Sequence, residues 1–310
     1  MDFQLTHVYG DCLELAYRGR PLFRYTYMPE TPAVEAPKPY FHPLYTLDGD
    51  VVTLFRPHDH RWHHGLAMTC AHLSGENFWG GGTYVHRRAG GQGPGYVVLD
   101  NIGRQAHQAW DQIDCTPDGV VLRERLLWIT QAGATWINEA RRIAVTEVDP
   151  ARGCWRLEFG TRLTNVHAEP LVFSSPTVEG RPKAGYGGLF WRGVRAFTGG
   201  AILMGGGLEA EGDEADVIGK AAPWLAFVGQ HDGVDRSATL LFLDQPGNPR
   251  YPNKWFVRAQ AFACASFALT FDEAYTLPPG AALALDYHIV VGNGAWSRAQ
   301  IEAYISRAAR

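Results

Sequence analysis

An all-β protein, built as a large antiparallel β-sandwich with one short C-terminal helix, is the fold class this 310-residue sequence predicts. Three observations carry that expectation. Strand-like runs, alternating in polarity or rich in β-branched residues, recur along the chain with turn signals between them. Thirty-five glycines and nineteen prolines punctuate those runs at the spacing of an antiparallel protein. Strands do not alternate with helices, as a doubly wound nucleotide-binding sheet would require.

The elements follow in chain order. "LELAYRGRPLFRYTYM", from Leu13, is strand-like, and so is "GYVVLDNIG", from Gly95. "VLRERLLWIT" and "WINEARRIAVTEV" are joined through "QAGA" as a hairpin, and "DPARG" turns the chain into the next strand, "CWRLEFGTRLTNV". "SATLLFLD" adds another. Only "SRAQIEAYISRAAR" reads as a helix, with Ser297 at its N-cap and Ile301, Tyr304 and Ile305 on one face. The glycine-dense "FWGGGTYVHRRAGGQGPGYV" lacks the Lys-Ser/Thr pair of a phosphate loop and is read as a mobile loop over a cleft. "GGGLEAEGDEADVIGK" is read as an acidic, flexible excursion. With no clear repeat and no linker-like run, residues 1–310 are taken as one domain.

Composition narrows the function classes. A formal charge of −4 lacks the basic excess that attracts phosphate backbones, so nucleic acid is excluded as a partner. The N-terminal stretch lacks the basic start and apolar run of a signal peptide, and no segment reaches the roughly 18 apolar residues of a spanning helix. The expectation is a soluble, cytoplasmic protein with no membrane partner. Cys12, Cys70, Cys115, Cys154 and Cys264 form no CxxC pair, so reduced and mostly buried thiols are expected. Ten tryptophans and thirteen tyrosines suit the stacking platforms of a sugar cleft, but also strands and interfaces.

The strongest local signal is histidine. Five of the twelve histidines lie between positions 42 and 64, four of them in "RPHDHRWHHG". If "TLFRPHDH" ends an extended segment, His58 and His60 share a face, although Pro57 argues against a regular central strand, and the adjacent His63 and His64 diverge. Neutral imidazoles at His58, His60 and His63 could hold a divalent metal, although the spacing matches neither HExxH nor a Cys/His finger. The same residues, with His42 and His64, could instead transfer protons. A polar turn, with imidazoles bonded to carbonyls and stacked on Trp62 and Trp79, is the third reading. In "SSPTVEGRPKAGYGGLFWRG", Glu179 could act as base or ligand, Arg181 and Arg192 as forks for oxygens, and Trp191 as a stacking face. In "DQPGNPRYPNKWFVR", Asn248, Trp255 and Arg258 could line a site or simply build turns.

Taken together, "KPYFHPLYT", "VVTLFRPHDHRWHHGL", "ENFWGG", "GYGGLFWR", "NPRYPNKWFVR" and "YTLPPGAALALDYHIVVGNG" resemble the bacterial PmoA-like family, over about residues 20 to 295. The resemblance implies a β-sandwich of the galactose-mutarotase type and a setting in sugar catabolism. It also implies a cleft with His42, His60, His64 and Glu179 for acid–base work and Lys38, Trp79, Arg181, Trp191, Arg192 and Arg258 for holding the substrate. The function expected is a carbohydrate-active enzyme working on a sugar or keto-sugar by epimerisation, elimination or hydrolysis. A metal-dependent oxygenase or hydrolase and a non-catalytic sugar-binding module are the alternatives. The cofactor is left open, with a divalent metal at the histidines as one occupant, and a small-molecule sugar and a second copy of the chain are the partners considered.

Overall fold

The structure, a computed structural model, describes residues 2–88, 92–211 and 213–308. Two large antiparallel sheets dominate it. The first has eight strands, in the spatial order Phe3–Val8, Cys12–Tyr17, Arg20–Thr26, Tyr40–Leu44, Leu66–Thr69, Gly188–Arg192, Cys264–Phe267, Trp255–Arg258. The second has nine, in the order Glu209–Glu211, Ala201–Met204, Trp224–Gln230, Ser237–Asp244, Ala282–Asn293, Cys154–Asn165, Thr135–Asp149, Gly119–Ile129, Arg104–Thr116.

Local chemistry sets these pairings. Arg18 and Gly19 both take positive φ between Tyr17 and Arg20, the two-residue turn that matches strand twist. The predicted hairpin through "QAGA" forms, pairing Gly119–Ile129 with Thr135–Asp149. Alternation then buries one face of each long strand. Phe23, Phe41 and Trp255 from the first sheet meet Trp155, Phe242 and Tyr287 from the second in one continuous apolar core. Phe267 stacks on Tyr287 with ring centroids 4.0 Å apart. Burying a large side chain there contributes about 1.5–3 kcal/mol.

Charge interrupts that core at one place. Arg141, fully buried, donates to Glu139, Tyr25 and Gln105, and Tyr25 donates in turn to Glu124. Trp128 and Thr161 complete the Glu139 carboxylate. The cluster is closed on itself, which is the condition for tolerating charge in a low-dielectric interior.

The C-terminal helix Arg298–Ala308 starts on a capping box. Ser297 Oγ accepts from the Gln300 amide, and Gln300 Oε1 accepts from the Ser297 amide. Ile301 and Tyr304 are buried beneath it with Trp224 and Trp296, on the outer side of the second sheet. All five cysteines are free thiols, four of them buried.

Three expectations need correction. "GYVVLDNIG" forms a strand only over Gly95–Val97, which pairs with Thr83–Val85, and the tip of that loop lies outside the described residues. The acidic stretch after Met204 is docked on the protein, because it finds backbone partners. Ala221 bridges to Lys254, Gly219 donates to the Trp255 carbonyl, and Glu214 Oε2 accepts from the amides of Ala259 and Gln260. "RPHDHRWHHG" is not extended, since His60 N donates to Pro57 O and His63 N to His60 O in successive turns.

Candidate functional site

Residues directly opposed in an antiparallel pair lie on one face, so register sorts the candidates. Trp191 opposes Ala265, and Arg192 opposes Cys264, which also opposes Arg258. Trp191 points inward, 5.3 Å from Phe227 and 5.6 Å from Phe242, with Nε1 donating to Val52 O. It is a core residue and not a wall of a sugar cleft, contrary to expectation. Arg192, Cys264 and Arg258 form a row on the outer face of the eight-stranded sheet, and the histidine segment folds over that same face.

That segment is a hairpin tied at its base by Leu54, whose amide donates to Arg192 O and whose carbonyl accepts from Gly65. Gly65 takes φ +54, and a Cβ there would stand 2.1 Å from Phe41 O, so only glycine permits the return. The turns send the histidines apart. His58 is exposed, with Nδ1 3.2 Å from an Arg195 nitrogen. His60 and His63 stack at 4.7 Å and 24°. His64 faces the other way, toward Tyr40 and Phe55.

The metal expectation at His58, His60 and His63 fails on this geometry. Stacked rings present their nitrogens side by side, and Arg192 Nη1 lies 3.2 Å from His63 Nδ1, putting a cation where a metal would need a lone pair. Among the described residues no three His, Cys, Asp or Glu side chains are arranged to hold a metal ion.

His64 belongs to a buried knot around Glu35. Arg56 holds that carboxylate bidentately at 2.8 and 2.7 Å, and His64 Nε2 is 3.2 Å away. Burial raises the Glu35 pKa, but His64 and Arg56 outweigh it and hold the group at about 2. Burial, aided by Lys38, presses His64 down to about 4, so its imidazole is neutral. Lys38, expected to bind substrate, is fully buried instead. Its Nζ donates to the carbonyls of Glu35, Ala36 and Trp79, each at 3.0 Å, leaving no proton for a ligand.

Beside this knot the outer face opens into a cavity of about 600 Å³, lined among others by Asp11, Arg24, Tyr40, His42, Phe55 and Arg56. Arg24 pairs with Asp11 at 2.7 Å. Tyr40 and His42 alternate along one strand with the core residue Phe41, which puts both on the cavity side. His42 stacks on Phe55, and its Nδ1 is 2.9 Å from Thr53 Oγ1. That oxygen also accepts from the Leu44 amide at 3.1 Å. The Leu44 amide takes one lone pair of that oxygen and leaves its proton free for Nδ1, an arrangement that favours the Nε2–H tautomer. Burial lowers the His42 pKa to about 4. The cavity therefore receives a neutral imidazole, a donor in that tautomer.

At the other end of the hairpin, Asp59 Oδ1 accepts from Arg195 at 2.7 Å, and Oδ2 lies 3.3 Å from His60 Nδ1 and 3.5 Å from Arg192 Nη2. Burial raises the Asp59 pKa, yet its backbone, His60 and arginine contacts hold it at about 2. His60 is lowered by burial against the opposing pull of Asp59. His63, enclosed by Trp79, Phe190 and Phe262, is driven well below its ordinary value by burial. Arg192 has no exposed surface, and Phe262 lies over its guanidinium at 3.8 Å.

The remaining expected residues stand apart from the histidines' polar contacts. Glu179 accepts from Ser174 Oγ, and Arg181 donates to Tyr96 OH, which bonds to Tyr186 OH. Trp79 packs between Tyr186 and His63. Arg258 is spent on Glu214 and the Lys183 carbonyl. Asn248 bridges Asp244 and the Asp286 carbonyl, and Trp255 is core. Sequence reasoning missed Glu35, Thr53, Arg24 and Asp11. The period-two spacing of Tyr40 and His42 was the one local signal for the cavity wall.

No curated protein matches the chain. Among solved structures, an alpha-galactosidase from Lactobacillus brevis aligns over 96% of this chain and 40% of its own, at 9% identity and TM-score 0.42. A GH36 alpha-galactosidase AgaA variant from Geobacillus stearothermophilus, in complex with raffinose, aligns over 95% and 39%, at 11% identity and TM-score 0.40. The chain thus spans about two-fifths of the length of these structures. Residues 12–306 match the model of a family of unknown function, DUF6807, and the chain belongs to that family.

Proposed function

We propose that this protein is a carbohydrate-active enzyme, transferring protons on a sugar or keto-sugar held in the cavity beside His42. The observation that carries the reading is the His42 imidazole, kept neutral by burial, on the wall of a cavity of about 600 Å³ that also bears the carboxylates of Asp11 and Glu30. Such a cavity has the size and convergent polar groups of a small-molecule site. Arg24 pairs with Asp11 on that wall, so a donor and an acceptor for hydroxyls stand side by side there.

In this reading His42 polarises the carbonyl or ring oxygen of the substrate, and a carboxylate on the same wall takes the proton. Arg24, on the same wall, holds a hydroxyl, while the Arg56 fork is taken by Glu35. Epimerisation, elimination and hydrolysis share these roles. The metal-dependent oxygenase reading is set aside, because no three His, Cys, Asp or Glu side chains among the described residues are arranged to hold a metal ion. The protein is read as one cytoplasmic domain with a small-molecule sugar partner, and no helix in it is long and apolar enough to cross a membrane among the described residues.

The test is turnover by NMR in D₂O, with glucose for anomerisation and a 3-keto-glucoside for hydrogen exchange or cleavage. Acceleration that falls by roughly 10²–10⁴ in His42→Ala is expected for a lost acid–base group. Turnover unchanged in that variant sinks the assignment, and sugar binding without turnover by the parent protein replaces the enzyme with a binding module.

A further inference from the structure

We propose that the Nε/Nη2 edge of Arg192 is a second recognition site, a fork for the carboxylate of a small organic acid, covered by Phe262. Arg192 is fully buried, yet neither Nε nor Nη2 has a hydrogen-bond partner among the described residues. Nη1 lies 3.2 Å from His63 Nδ1, and Nη2 has only a long ion pair, 3.5 Å from Asp59 Oδ2. A guanidinium withdrawn from water with no hydrogen bond along its Nε/Nη2 edge is costly, and that edge is the one whose spacing matches two carboxylate oxygens.

Charge gives the class of ligand. Arg192 and Arg195 share one carboxylate, Asp59, and no other acidic side chain among the described residues lies within ion-pair reach of either. His60 and His63 are neutral by burial, and burial pushes the Cys264 thiol up to about 12, so that neighbour adds no negative charge. Arg258, next in the row, is already balanced by Glu214. One positive charge is uncompensated, which fits a monoanion better than a dianion.

Phe262 explains why the edge is dry. Its ring covers the guanidinium at 3.8 Å and packs on His60 and His63, while remaining partly exposed on a stretch outside the strands. Rotating this one ring away uncovers the fork without unpairing a strand. Arg192 does not line the cavity beside His42, so this fork is independent of the proposed turnover there. A sugar acid is the ligand if that reading of the function is correct.

The test is calorimetric titration of the full chain with sodium acetate, sodium glucuronate, glucose and sodium phosphate. Acetate addresses the fork alone, and glucuronate adds the sugar. Phe262→Ala is expected to bind acetate and glucuronate at least several-fold more tightly than the parent. Arg192→Lys keeps the charge but loses the planar fork, and is expected to weaken both by tenfold or more while its melting curve stays cooperative. Should Arg192→Lys fail to fold, Phe262→Ala decides alone. The proposal is overturned if Phe262→Ala gains no carboxylate affinity, if folded Arg192→Lys keeps it, or if phosphate binds more tightly than either acid. Acetate binding without preference for glucuronate leaves the fork standing and removes only the sugar acid.

Discussion

The charge on Glu35 holds the histidine hairpin to the turn beneath it, and Glu35→Gln removes that charge while keeping the shape. The carboxyl titrates at about 2 in the fold against an ordinary 4.5. At about 1.4 kcal/mol for each pH unit between the two, linkage gives roughly 3 kcal/mol of stability at neutral pH. The Glu35 side chain is 3% exposed, but Arg56 is 35% exposed, and water screening of that partner brings the figure to about 2 kcal/mol. Because the folded pKa is the lower one, the contribution is complete above the unfolded value of 4.5 and is lost as pH falls through about 2. Urea unfolding of parent and variant, followed by circular dichroism, measures this directly. The gap between them is expected to be about 2 kcal/mol near pH 7 and to narrow steadily below about pH 4.5. A gap that stays constant down to about pH 3 refutes the reasoning, because the carboxylate's charge would then not be its source.

Two further outcomes follow from the same geometry. The His42 ring is expected to titrate at about 4 by ¹⁵N NMR, with folding penalised as pH falls from 6.5 toward that value, and Thr53→Val is expected to shift the Nδ1 and Nε2 signals while Thr53→Ser restores them. A midpoint near 6.5, or no response to Thr53→Val, contradicts the donor tautomer. Trp191→Ala is expected to cost about 3–5 kcal/mol in urea unfolding, with sugar affinity per folded molecule unchanged. A selective loss of affinity would return Trp191 to the site.

Much of the fold was legible because strands advertise themselves locally. The long hairpin around "QAGA", the strand "SATLLFLD" and the helix after Ser297 all form where period and turn chemistry placed them. The divergence of His63 and His64 was legible too, since adjacent residues rarely face one point. The rest depended on distant pairing. Trp191 reads like a sugar platform until register with Ala265 turns it inward. Lys38 reads like a substrate-binding charge until three carbonyls, one of them 41 residues away, enclose it. Glu35 carries no motif at all and gains its role only when Arg56 and His64 arrive from the hairpin. Glu124, Glu139 and Arg141 sit at core-facing positions of their strands, where alternation alone predicts apolar side chains.

The docking of the acidic stretch after Met204 has a consequence for solubility. Trp255–Arg258 is the last strand of its sheet, and its outer backbone groups would otherwise offer a template to any extended chain. Residues 214–222 occupy that margin instead. Lys220 O accepts from the Trp255 amide, Gly219 N donates back to its carbonyl, and the Glu214 carboxylate closes the amides just beyond the strand. A segment that composition marks as a flexible excursion therefore occupies the backbone groups that would otherwise template aggregation.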